Sequence, residues 1–420
     1  VLTSWVGWSI MLFAGLLARR IFNGWAGVAT VCFLALSPRF FGHCMNNCKD
    51  IPFAALYLLT LYALSFLRPA FPYVTWRSAA LCVVAVALCL NVRIGGLLLV
   101  FYAGLYVGVL ALRDATCRTP RRWLLLGLGM AGFTLICVVL GTLFWPWALV
   151  NPLARPFEAL RQMARFPLHM YVLYGGTFHS SAGLPWHYIP KLYLITTPLA
   201  VLGCAVAGLA WLVKAGRRVQ VAGLLLVILF PVAYVILRHA VLYNGLRHLL
   251  FIYPPLVVLA GGGFEFLRRA VQGKPLAVLA LSLALIFGVY HGALFHLRAH
   301  PNQVVYYNQV IGGMDGAFMK YDLDYWGNSY KQAVDWLERV AELNNEKIRF
   351  SADIGGHVAQ IYARRYPQLE YVEQGKGPVR YHLQLLYMTP ETLGKMLEGY
   401  KINAIMVDKT PLCLVHMMRP

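Results

Sequence analysis

"SPRFFGHCMNNCKDIPFA" spans residues Ser37–Ala54, between two long apolar stretches. Within eight residues it carries His43, Asn46, Asn47, Lys49 and Asp50. Whether these groups line an ordinary water-facing loop or the mouth of a membrane bundle decides the fold. The surrounding composition favours a bundle. Of 420 residues, 59% are hydrophobic and 13% charged, whereas soluble domains carry roughly a quarter charged residues. A helix crosses a bilayer with roughly 17–25 apolar residues. Ten stretches approach or reach that length, near 2–18, 22–41, 51–67, 78–92, 94–112, 123–146, 190–213, 219–238, 246–267 and 275–293.

Charge is split along the chain. Up to residue 300 the acidic residues are Asp50, Asp114, Glu158 and Glu265, against 24 Lys and Arg; residues 301–420 hold 13 acidic and 13 basic residues. The net +20 therefore belongs to the apolar part, where it orients spans and gives no reason to expect nucleic acid as a partner. One set of connections is short and basic: Arg19–Arg20, Arg68 and Arg77, Arg113 to Arg122, Lys214 to Arg218, and Arg268 to Lys274. These fit the cytoplasmic side. The alternate set comprises the opening stretch, Asn91–Gly95, 145–190, 238–248 and the tail, and is rich in Trp, Tyr, His, Asn and Pro. In the third of these, Phe157–Phe166 with Arg155, Arg161 and Arg165 has the pattern of a helix lying in the interface.

The tail, 301–420, reads as a small extracytoplasmic α/β domain following the 1–300 helical domain. "SYKQAVDWLERVAEL" places Ala333, Trp336, Leu337 and Val340 on one helical face. "KIRFSAD" and "KINAIMVDK" read as strands, and Thr389-Pro390 as a helix start between them.

Asp50 is the one carboxylate in the short outward loops. Asp before Ile51-Pro52 suits a helix cap, but a cap does not explain His43, Asn46, Asn47 and Lys49 beside it. Such a cluster can bind a divalent metal ion, a phosphate or sugar hydroxyls, each hydroxyl both donating and accepting hydrogen bonds. Cys44 and Cys48 can ligate a metal, pair in an oxidising compartment, or remain free thiols. Arg93, Arg238 and Arg247 face outward without matching carboxylates, joined by His239, Tyr243 and His248. Guanidinium groups favour phosphate oxygens, so an anionic partner is expected.

"LALSPRFFGHCMNNCKDIPFA", "LPWHYIPKLYLITTPL", "GLRHLLFIYPPLVVLAG" and "HPNQVVYYNQVIGG…YDLDYWGNSYKQAVDWL", in that order, resemble polytopic glycosyltransferases of the GT-C superfamily. The resemblance is to the bacterial branch of protein O-mannosyltransferases and lipid A aminoarabinose transferases. It implies about ten transmembrane helices, an inner (plasma) membrane location and a periplasmic C-terminal domain. The implied activity moves a sugar from a polyprenyl-phosphate carrier to an extracytoplasmic protein, lipid or glycan. By the same resemblance, Asp50 and His43 serve catalysis, with Asp50 at the family's second acidic position, where a divalent metal is possible. Arg247, Arg93, Lys49 and Arg238 serve the donor phosphate. Asn46, Asn47, His248 and Tyr243 serve sugar or acceptor. The family's principal carboxylate follows a first span, and no acidic residue precedes Asp50, so either a first span and loop stand ahead of Val1 or this is a member that has lost its base. Two other classes fit the residues: a non-catalytic subunit scaffolding a membrane complex, or a polyprenyl-glycan transporter, which would show inverted repeats.

Overall fold

The computed structural model describes residues 2–152, 154–164, 170–387 and 400–418. All ten apolar stretches are helical. Among the described residues, seven helical segments are each long and apolar enough to cross a membrane: Leu2–Ile21, Asp50–Pro69, Ile94–Arg113, Pro120–Thr142, Arg218–Leu237, Arg247–Val271 and Pro275–Arg298. Trp76–Val92 is a shorter apolar helix. The chain is a multi-pass membrane protein.

Two of the ten stretches are sharply broken. Gly24–Ala35 and Pro38–Asn46 meet at 70°, and Tyr188–Thr196 and Leu199–Lys214 at 113°. Each break falls at an X-Pro step, Ser37-Pro38 and Thr197-Pro198, where proline pushes the preceding residue out of the helical region. Ser37 (φ −93°, ψ 98°) and Thr197 (φ −96°, ψ 136°) are both extended. The first break turns the quoted stretch across the end of the bundle, which carries His43, Asn46 and Asn47 inward.

Tyr253–Val271 is the central helix, packed against Gly24–Ala35, Leu199–Lys214 and Leu2–Ile21. Its Gly261 and Gly263 lie against Thr30 and the Cys204 carbonyl, and Gly208 lies against the Leu259 carbonyl. Small residues at these crossings let backbones meet, the usual way helices gain contact in lipid. Glu265, fully buried on this helix, accepts from Asn23 Nδ2 (2.8 Å), Arg268 Nε (2.7 Å) and Arg269 Nε (2.5 Å), so its charge is matched.

Beyond the last span, Val304, Val305, Tyr306, Tyr307 and Leu323 belong to the same apolar core as the helices. Gly42 makes this possible, because a Cβ there would stand 2.5 Å from Val304 N. A second core begins at Tyr330. It lies under a mixed sheet with five strands among the described residues, β1 Ile348–Ala352, β2 Leu369–Tyr371, β3 Tyr381–Leu385, β4 Tyr400–Val407 and β5 Thr410–Met417, ordered β2-β1-β3-β5-β4. β1 runs parallel to β2 and β3, and β5 antiparallel to β3 and β4. The helix Ser329–Asn344 buries Ala333, Val334, Leu337 and Ala341 on this core, with Trp336 and Val340 partly covered. The expected helix start at Thr389 lies outside the described residues. In the long outward segment, Arg155–Ala164 is helical and Met163 reaches the Gly95 turn.

Candidate active site at the mouth of the bundle

Asn47 organises the cluster. Its Oδ1 accepts from Asp50 N (2.9 Å) and Lys49 N (3.3 Å) at the start of the helix Asp50–Leu64. Asp50 is the first helical residue, and Lys49 stands at the cap position without a side-chain cap bond. Asp50 therefore does not cap the helix, and its carboxylate meets other partners. The two protons of Asn47 Nδ2 divide between Asp50 Oδ2 (2.7 Å) and His43 Nδ1 (3.3 Å). One amide thus couples the carboxylate to the imidazole. His43 Nε2 lies 3.3 Å from Tyr325 Oη.

Arg93 reaches Asp50 from the C-terminal end of Trp76–Val92, its Nη2 2.5 Å from Asp50 Oδ1. The Asp50 side chain is 4% exposed and that of Arg93 27%. The contact satisfies charge and distance, but no hydrogen bond is directed at Oδ1, so this oxygen keeps a lone pair to offer. A guanidinium and an amide hold the carboxylate, and no group of three His, Cys, Asp or Glu converges among the described residues. Cys44 is buried, Cys48 exposed, and both are free thiols.

Arg247 begins the 3₁₀ turn that leads into the central helix. Its guanidinium stacks on Tyr243 (4.7 Å to the ring centre) and faces Trp326 (5.7 Å). Arg247 Nε is buried and has no hydrogen-bond partner among the described residues. His248 packs edge-on against Tyr243, with ring centres 4.6 Å apart. Asn46 Nδ2 donates to Asn328 Oδ1 (2.8 Å). Lys49 and Arg238 are exposed, the latter at the C-terminal end of Arg218–Leu237, and neither side chain is seen to join these contacts.

Sequence reasoning missed Arg39 and the segment Asp322–Asn328. Arg39 is 4% exposed, donates to Tyr306 O (3.0 and 3.2 Å) and stacks on Tyr307 (4.6 Å). An arginine inside an apolar run was the available signal. Tyr325 is the hub. Burial pushes its phenol up to about 12, with Arg39 and Arg247 pulling it down and Asp50 and Asp322 pushing it up. All four charged groups therefore act on one hydroxyl. Asp324 pins this segment by accepting from Asn328 N (3.1 Å), Ser329 N (2.8 Å) and Ser329 Oγ (2.7 Å). The tail and the quoted stretch consequently meet on one side of the bundle.

A broken helical bundle, a charged cluster at its mouth and a small mixed-sheet domain together make the GT-C-like fold that this chain shares with a solved structure. Among solved structures, it is similar to ArnT from Cupriavidus metallidurans bound to undecaprenyl phosphate, at TM-score 0.54 and 15% identity over 99% of this chain and 83% of that one. It is more loosely similar to the Archaeoglobus fulgidus oligosaccharyltransferase in complex with Zn and sulfate, at TM-score 0.44 and 12% identity over 91% of this chain and 55% of that one. No protein-family profile and no curated protein matches the chain.

Proposed function

We propose that the chain is a membrane glycosyltransferase that moves a sugar from a polyprenyl-phosphate donor to an extracytoplasmic acceptor. The observation that carries this is the charged cluster around Tyr325, where Arg39 and Arg247 meet Asp50 and Asp322 and Arg93 pairs with Asp50, within a GT-C fold. An excess of guanidinium, buried at Arg39 and half-buried at Arg93 and Arg247, calls for an anion, and a phosphate fits its planar geometry. The bound phosphate of the ArnT neighbour is consistent with this choice.

In this reading the donor phosphate lies against Arg247 and Arg93. The acceptor's nucleophilic oxygen or nitrogen attacks the anomeric carbon as its proton passes toward Asp50 Oδ1. The bond from the anomeric carbon to the phosphate oxygen breaks, and polyprenyl phosphate leaves with the electron pair. Arg247 and Arg93 stabilise the charge developing on that phosphate. Asn47 and His43 hold the carboxylate in place, and Asn46 and Tyr243 flank the sugar or acceptor. The tail belongs on the extracytoplasmic side of the plasma membrane, periplasmic in a bacterium.

The test is release of undecaprenyl phosphate from a panel of undecaprenyl-phosphate-linked hexoses and pentoses in the presence of membrane acceptors. Wild type should turn over at least one donor, and Asp50→Asn should lower the rate by about 10²-fold or more, the scale of a lost proton acceptor. Equal rates for the two proteins would remove Asp50 from the chemistry.

A further inference from the structure

Five buried polar atoms around Tyr325 have no hydrogen-bond partner among the described residues: Arg39 Nη1, Asp322 Oδ2, Arg247 Nε, Trp326 Nε1 and Asn46 Oδ1. Arg39 and Asp322 are only 4% and 5% exposed. A buried polar group left unsatisfied costs about 1–3 kcal/mol, so five in one neighbourhood mark a place built for something else. Contacts tie them to one segment: Asn46 reaches it through Asn328, and the charge of Arg39 acts on Asp322. Arg39 Nη1 and Tyr325 Oη approach the same face of Gly245, which holds φ +68° and carries no side chain that would fill the space. His43 packs against both Tyr325 (ring centres 6.4 Å apart) and Trp326 (6.3 Å). Trp326 in turn faces Arg247.

The set is chemically mixed. Arg39 Nη1, Arg247 Nε and Trp326 Nε1 can only donate, while Asn46 Oδ1 accepts. Burial pushes the Asp322 carboxyl up to about 7, against the pull of the Leu173 N–H and Arg39, so it is part acid and part carboxylate near neutrality and can play either part. A phosphate alone would satisfy the donors and leave Asn46 Oδ1 wanting. A lipid chain would satisfy none. Vicinal hydroxyl groups donate and accept at once, and the indole and phenol rings beside them offer flat apolar faces.

We propose that Asp322 and Trp326, with Arg39 and Asn46, form a sugar subsite, so that the tail segment Asp322–Asn328 selects the glycosyl group. This rests on the donor reading above and adds to it the residues that recognise the sugar. The phosphate stays with Arg247 and Arg93, and the sugar hydroxyls meet the tail. The two conservative changes remove one polar function each and keep the shape. Asp322→Asn exchanges the carboxyl for an amide that cannot ionise. Trp326→Phe deletes the indole N–H.

The experiment compares the full chain in nanodiscs with the two variants, binding undecaprenyl phosphate either bare or linked to a hexose or pentose. Wild type should hold at least one sugar-linked lipid more tightly than the bare one. Trp326→Phe should lose roughly fivefold of that preference, the scale of one hydrogen bond, and Asp322→Asn a comparable amount. Trp326→Phe should bind bare undecaprenyl phosphate as wild type does, and Asp322→Asn, which removes a negative charge from the cluster, no more weakly than wild type. Thermal unfolding midpoints close to wild type would show that the variants are folded. Sugar preference retained in both variants would overturn the proposal and leave the orphan atoms to internal water. Should wild type bind neither lipid, the donor reading fails first, and hydrogen exchange across 318–330 with methyl glycosides decides the subsite by itself. Protection in wild type and not in Asp322→Asn sustains it, and no protection ends it.

Discussion

Arg93→Met keeps an unbranched apolar stem and removes the guanidinium that stands 2.5 Å from Asp50 Oδ1. The carboxylate left behind is 4% exposed and cannot recover water. Removing one partner of a buried ion pair costs about 3–5 kcal/mol when both groups are buried. Arg93 is 27% exposed and Asn47 still donates to Oδ2, so the cost falls below that range, to about 2–3 kcal/mol. The reciprocal change, Asp50→Asn, leaves a cation that can turn to water and should cost about 1 kcal/mol or less. The double variant strands no charge and should be more stable than Arg93→Met alone. The assay is the unfolding midpoint of purified protein in detergent, ordered wild type, Asp50→Asn, double variant, Arg93→Met from most to least stable. An Arg93→Met protein as stable as Asp50→Asn would refute the claim that Asp50 is a buried charge held by Arg93.

Three other outcomes follow. Gly42→Ala puts a Cβ 2.5 Å from Val304 N, so the strap 302–307 must shift, and its limited proteolysis should accelerate with a loss of roughly 1–3 kcal/mol. Asp322 titrates about 7 in the folded chain and near 4 unfolded, so the folded state binds the extra proton between those values. Its contribution to stability is therefore greatest below pH 4 and falls through the window to pH 7, at up to about 1.4 kcal/mol per pH unit. Asp322→Asn should flatten melting midpoints measured from pH 5 to 7.5, although burial also raises Asp353, to about 6, and leaves a residual slope. Arg247→Ala should lower donor turnover by about 10²-fold, the scale of a lost charge-stabilising donor, with an unfolding midpoint near that of wild type.

Much of the fold could be read from hydropathy alone. All ten apolar stretches are helices, and the helix from Ser329 and the strands at Ile348 and Tyr400 lie where periodicity put them. The two breaks at Ser37-Pro38 and Thr197-Pro198 were written in the X-Pro steps, but length and hydropathy average across them. The cluster Asp50, Asn47 and His43 is local, spaced by three and four residues, and so visible in the sequence. Its partners are not. Arg93 lies 43 residues away, Arg247 nearly 200, and Tyr325 and Asn328 beyond the last span. These meet only because Pro38–Asn46 folds across the bundle end and Gly42 admits Val304. Arg39 went unassigned, since nothing near it in sequence names Tyr306 or Tyr307.

The most direct measurement is a density map of the full chain in nanodiscs loaded with undecaprenyl phosphate. The phosphate should stand within hydrogen-bond reach, about 3 Å, of the Arg247 and Arg93 guanidinium groups, with Asp50 facing the same cavity. A phosphate bound elsewhere, with Arg247 sealed behind Tyr243 and Trp326, would contradict the account.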